Sequence, residues 1–183
     1  RIGTAEQKAK LAGLEIDPVT GEKKKKDKIL EQLLRLQEAQ KKIDDLFDNI
    51  DEMYDQYKSS VERSNKLKKS LKENDIDAMR LMAKNEYGQD IDQMSDEQVR
   101  QFAKDKYEEE IKTQADLEKA ILKAVENAQS EIDALPEDAQ DLKEQFQQKL
   151  NDKLASIKSM ADTKENLDYE GAQVVVRKQV GID

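Results

Sequence analysis

The chain has 183 residues, of which 40% are charged, 36% hydrophobic and only 4% aromatic; its net charge is −9, and it contains no cysteine, histidine or tryptophan. These values exclude imidazole acid/base catalysis, thiol nucleophiles and disulfides, and with them the nitrogen- and sulfur-ligated sites of zinc and most iron proteins. Acidic residues spread along the chain argue against a nucleic-acid binder and against docking on anionic membranes, and no run of about 18 apolar residues is present to span a bilayer.

A composition rich in Ala, Glu, Lys, Leu, Gln and Asp suits long thin helices, but also disorder. Periodicity decides between them. All six glycines and both prolines fall where the helical pattern breaks. No stretch reads as a signal peptide.

Residues 1–21 read as a short helix and a turn. Thr4 and Gln7 form a capping box, Gly13 sits at the stop, Leu14 and Ile16 alternate briefly, and Asp17-Pro18-Val19-Thr20-Gly21 is a tight turn. Residues 22–166 read as the helical bundle. Its first helix is expected to start near Asp27, because Lys23, Lys24, Lys25 and Lys26 would face an unfavourable dipole at a helix N-terminus. It runs to Asn74 without glycine or proline. Ile29, Leu36, Ile43, Ile50, Tyr57, Ser64 and Leu71 form one seven-residue frame; Leu33, Phe47, Tyr54 and Val61 form its companion. Leu46 and Met53 widen the stripe in the middle, and it thins towards Leu67 and Leu71. The expectation is a long helix with a thick centre and a thin C-terminal end.

A short second helix carries Ile76, Met79, Leu81 and Met82, capped by Asn74 or Asp75 and ending near Gly88. Ser95 and Gln98 make a capping box for a third helix over about 96–134. Its seam comprises Val99, Phe102, Tyr107, Ile111, Leu117, Ile121, Val125, Ala128 and Ile132, with Gln114 as a polar break. Pro136 suits a first helical position, and the last helix carries Leu142, Phe146, Leu150, Leu154, Ile157 and Ala161. Residues 167–183 form a strand-like tail in which Val174, Val176, Val180 and Ile182 alternate with more polar positions. Such a strand must pair with something.

The expected fold is all-α: an elongated antiparallel helical bundle or coiled coil with one very long helix and a short β-like tail. No phosphate-cradling loop or nucleophile elbow is present, so no enzymatic role, catalytic residue or cofactor is assigned. The acids Asp44, Asp45, Asp48, Asp51, Glu52 and Asp55 sit mid-helix and read as a solvated face. Asp90, Asp92 and Asp96 lie at a loop and are the better cation candidate, yet they lack the glycine and closing glutamate of a calcium loop. The lysines 23–26 and 28 read as a solubilising helix start.

The function these features imply is non-enzymatic protein–protein interaction or structure: a scaffold, adaptor or assembly chaperone. Its candidate contact residues are Phe47, Met53, Tyr54 and Tyr57 on the seam and Val174, Val176, Val180 and Ile182 on the tail. A homo-oligomeric coiled-coil spacer and a divalent-cation-binding bundle are the alternatives.

Overall fold

The computed structural model describes residues 20–165. They form four α-helices and one 3₁₀ turn: α1 (Thr20–Glu73), α2 (Ile76–Asn85), α3 (Asp96–Asp133), the 3₁₀ turn Glu137–Ala139, and α4 (Gln140–Glu165). The chain is all-α, with no strand among the described residues. The capping box at Thr4, the Leu14–Ile16 segment and the candidate strand residues Val174, Val176, Val180 and Ile182 lie outside them.

α1 has 54 residues, about 80 Å of helix at roughly 1.5 Å per residue. It begins at Thr20, not near Asp27, so Gly21, expected in a turn where the helical pattern breaks, and the lysines 23–26 lie inside it. The dipole penalty on an exposed lysine is a few tenths of a kcal/mol and is screened by salt, while lysine is a good helix former. Propensity therefore prevails. The other end is a Schellman stop. Asn74 takes the left-handed conformation with φ 49°, its N–H reaches the Leu71 carbonyl at 3.3 Å, and the Asp75 N–H reaches that of Ser70 at 2.9 Å.

Asp75 then caps α2, accepting the Ala78 N–H at 3.0 Å. Gly88 closes the exit from α2 with φ 61°, a conformation that a side chain would strain. α3 opens with the reciprocal capping box expected at Ser95: its N–H donates to Gln98 Oε1 at 2.9 Å, and the Gln98 N–H donates to Ser95 Oγ at 3.2 Å. Pro136 sits at the cap before the 3₁₀ turn instead of inside an α-helix.

The described residues divide into two compact units: 20–48 with 126–150, and 49–125 with 151–165. In the first, α1 and α3 run antiparallel, with Lys42 paired to Glu131 at 2.8 Å. Its core is apolar. Ile43, Phe47, Ala128, Ile132, Leu135, Phe146 and Leu150 are buried, and Phe47 meets Phe146 edge-to-face at 5.8 Å. Gln129 and Gln147 exchange amide hydrogen bonds of 2.7 and 2.9 Å beside it.

The second unit also pairs α1 and α3 antiparallel, shown by Tyr57 on Glu118 and Ser60 on Glu110. α4 adds Lys153 on Asp51 and Lys164 on Glu118. Beyond Ser64 the helix is not thin. Leu67 belongs to a cluster with Met79, Met82, Val99, Ala103, Tyr107 and Ile111, flanked by Leu71, Ile76, Tyr87 and Met94. The reason is α2: the Schellman turn at Asn74 folds this short helix back, and its methionines cover the end of α1.

Candidate functional site

Two arrangements stand out, one in each unit. The first is a polar centre inside the second unit. Glu110 lies on the buried face of α3, its side chain 8% exposed. Its carboxylate accepts from Ser60 Oγ at 2.9 Å, Arg63 Nε at 2.5 Å, Arg63 Nη2 at 3.2 Å and Tyr87 OH at 2.6 Å. Burial by itself would raise the Glu110 pKa. The hydrogen bonds from Arg63, Tyr87 and Ser60, with the Arg63 charge, outweigh it and hold the group below the ordinary glutamate range. Tyr87 is pushed upward, first by burial and then by its bond to Glu110. The result is a fixed carboxylate and a fixed phenol, both committed to internal partners. A general base needs a lone pair facing substrate, and those of Glu110 are already directed at four donors.

One turn further along α3, Gln114 is fully buried. Its amide nitrogen donates to Ser60 Oγ at 3.2 Å and Ser64 Oγ at 2.9 Å. The Ser64 hydroxyl donates to the Val61 carbonyl at 2.9 Å, so it has only acceptor capacity left for the amide. Gln114 Oε1 has no partner among the described residues. The two polar breaks in the seams, Ser64 on α1 and Gln114 on α3, thus meet each other. Neither seam predicts this alone, because each break is legible only as a missing apolar residue. A heptad alignment of α1 against α3 would have brought them opposite.

The second arrangement is in the first unit, on α1. The register of Lys42 with Glu131 sets Asp133, the end of α3, opposite about residue 40. Upstream of that point, no other described helix accompanies α1. Ile29, Leu30, Leu33 and Leu36 are half-buried, Leu34 is 52% exposed, and no residue from 23 to 42 is buried. The heptad pattern that fills the core at Ile43 and Phe47 continues here beyond the end of α3. Lys23, Lys24, Lys25 and Lys28 are exposed beside it.

Of the seam residues singled out for partner contact, Phe47 and Tyr57 are buried inside their own units. Phe47 packs on Phe146, and the Tyr57 hydroxyl donates to Glu118 at 2.7 Å with Lys164 over its ring at 5.7 Å. Met53 and Tyr54 are half-buried. The acidic loop is organised by a cation the chain supplies itself. Arg80 donates to the Met94 carbonyl at 3.1 Å and to Asp96 at 2.7 Å, while Asp90 accepts the Asp92 N–H at 3.1 Å. Among the described residues no group of three or more acidic side chains could hold a metal ion. No described helix is long and apolar enough to cross a membrane.

No family model matches the chain, and no curated protein or solved structure matches it.

Proposed function

We propose that this chain is a non-enzymatic protein-interaction or structural protein, a scaffold, adaptor or assembly chaperone, working as an elongated helical bundle. The observation that carries this reading is the apolar stripe of α1 upstream of residue 40, which lies beyond the end of α3. Five large aliphatic side chains on about two turns of helix, none of them buried, form the kind of surface that marks a contact site on a water-soluble protein. Helix-in-groove and helix-on-helix recognition both use such i, i+3, i+4 and i+7 anchors.

The commitment of Glu110 to internal donors supports the same reading, since it turns the most buried carboxylate of the second unit into a structural group. The occupation of the acidic loop by Arg80 weighs against a divalent-cation role. Calorimetry with calcium and magnesium is expected to give no heat and no shift in melting temperature.

The decisive experiment is affinity capture by the full chain from an extract of its own source, beside the Leu33→Asp variant. The expected result is a discrete protein, this chain itself included, retained by the unchanged sequence and lost with the variant. Retention of nothing, or equal retention by both, would sink the assignment of the contact surface to this stripe.

A further inference from the structure

We infer that the partner of the α1 stripe is a second copy of the same chain, paired antiparallel over residues 20–39. This rests on the interaction reading above and names the occupant of that surface.

Three observations lead to it. The first is register. Extending the α1 heptad upstream from the core residues Ile43 and Phe47 puts Leu36 and Ile29 in the frame of Ile43, and Leu33 in that of Phe47. In an antiparallel pair, residues of one frame pack against those of the other. Ile29 of each copy then meets Leu33 of its twin, and Leu36 covers the aliphatic stem of Lys26. The second is length. In this register Thr20 of one copy lies opposite about residue 42 of the other, close to where α3 ends beside α1. The length of α1 that extends beyond α3 in one copy therefore suits that of the other.

The third is charge. A parallel pair would stack Lys23, Lys24, Lys25 and Lys26 on the same four lysines of its twin. The antiparallel pair carries them instead towards the turn that joins α3 to α4, where Asp133, Glu137, Asp138 and Asp141 are all exposed. Opposite charge across the contact favours this orientation and disfavours the other. Five apolar side chains per copy, partly covered already, suit a weak dimer that dissociates at roughly 10–100 µM.

The test is sedimentation equilibrium of the full chain between about 1 and 300 µM at low salt, a range chosen to bracket that affinity. The expected mass rises with concentration from 21.0 kDa towards twice that value. Leu33→Asp is expected to weaken the dimer at least tenfold, with at most a small fall in the melting temperature measured at low concentration. Reversing Lys24 and Lys25 to glutamate is expected to weaken it less, and Glu137→Lys with Asp138→Lys to restore it.

Orientation is read by disulfide formation, since the native chain has no cysteine. Gln32→Cys is expected to cross-link to its own twin, whereas Lys26→Cys does so only in a parallel pair. A chain that stays monomeric to the highest concentration overturns the proposal, as does a Lys26→Cys cross-link. A monomer whose melting temperature falls as far with Leu33→Asp as with a substitution in the packed core overturns it too, and assigns the stripe to another part of the same chain. A monomer that still retains a different protein through Leu33 removes self-pairing and leaves the interaction reading standing; one that retains nothing removes both.

Discussion

Both units draw on α1, α3 and α4, with α2 in the second alone, and they differ in what they bury. Among the described residues the first unit buries no polar side chain, whereas the second buries Ser60, Ser64, Lys68, Ser70, Glu110 and Gln114. An apolar seam gives stability but tolerates sliding by a heptad, because one layer of leucine and isoleucine resembles the next. A polar layer does not, since shifting it leaves donors and acceptors unpaired in low dielectric. The first unit is thus held by apolar packing, and the second carries a polar layer that fixes the register of α1 on α3 within it.

The largest expected effect breaks the apolar side of that comparison. Phe47→Ala removes one ring of the Phe47–Phe146 pair and leaves a cavity in the first unit. The expected loss is about 4 kcal/mol of unfolding free energy, measured by urea denaturation. A loss below about 1 kcal/mol would mean that this core collapses freely and does not hold the unit.

Next comes the polar side. Glu110→Ala strands Arg63 and the Tyr87 hydroxyl, which now share one carboxylate. Arg63 is 31% exposed and regains some water, so the expected cost is about 3 kcal/mol, at the low end for a broken buried pair. The pH dependence follows from the two shifts. Glu110 is held below its ordinary value, so the stability it contributes is complete above the unfolded glutamate value of about 4.3 and is lost as pH falls through the lower folded value. Tyr87 is raised, so its contribution is complete below about pH 10 and is lost only as pH rises through the higher folded value. Melting temperature against pH is expected to show both limbs. Glu110→Gln should flatten the acid one, and an unchanged acid limb would refute the assignment.

A smaller effect sharpens the comparison. Ser64→Ala and Gln114→Leu each break the 2.9 Å contact between the two polar seam positions. Either alone is expected to cost about 1 kcal/mol, and the double variant less than the sum, with a coupling of roughly 0.5–1 kcal/mol in a double-mutant cycle. Gln114 Oε1 already lacks a partner among the described residues, so the double replacement can even stabilise. Strict additivity would show that the two side chains are not coupled and that this layer does not set the register.

Much of this fold was legible in the sequence, and the misses have physical causes. The helix punctuation at Asn74, Asp75, Gly88 and Ser95 follows from backbone chemistry that is local to a few residues, and the caps fall there. The helix starts seven residues before Asp27 because propensity at Lys23–Lys26 outweighs a weak dipole effect. The thickness of α1 at its C-terminal end depends on α2 folding back, a tertiary event that a one-helix pattern does not contain. The Glu110 centre is not legible for the same reason. Its members Ser60, Arg63, Tyr87 and Glu110 come from three elements, and each alone reads as an ordinary surface residue. Of the candidate contact residues, the pattern marks Phe47 and Tyr57 as apolar seam positions but cannot say whether the chain covers them itself; the structure does cover them.

The smallest expected effect tests that last point directly. Leu33 and Val61 occupy the same frame of the α1 heptad, four repeats apart, and sequence grammar treats them alike. Val61 is fully buried, while Leu33 is only half-buried on the stretch beyond α3. Val61→Ala is expected to cost about 2 kcal/mol, because it removes two methyl groups from a packed core. Leu33→Ala removes more carbon, yet at low concentration it is expected to cost below about 1 kcal/mol, since partial exposure already forfeits much of the burial gain. Denaturation of the two variants side by side, at low micromolar protein, decides the matter. If Leu33→Ala proves the more costly, position 33 is as much a core residue of the single chain as position 61. The contrast between a covered and an uncovered length of one helix would then be lost.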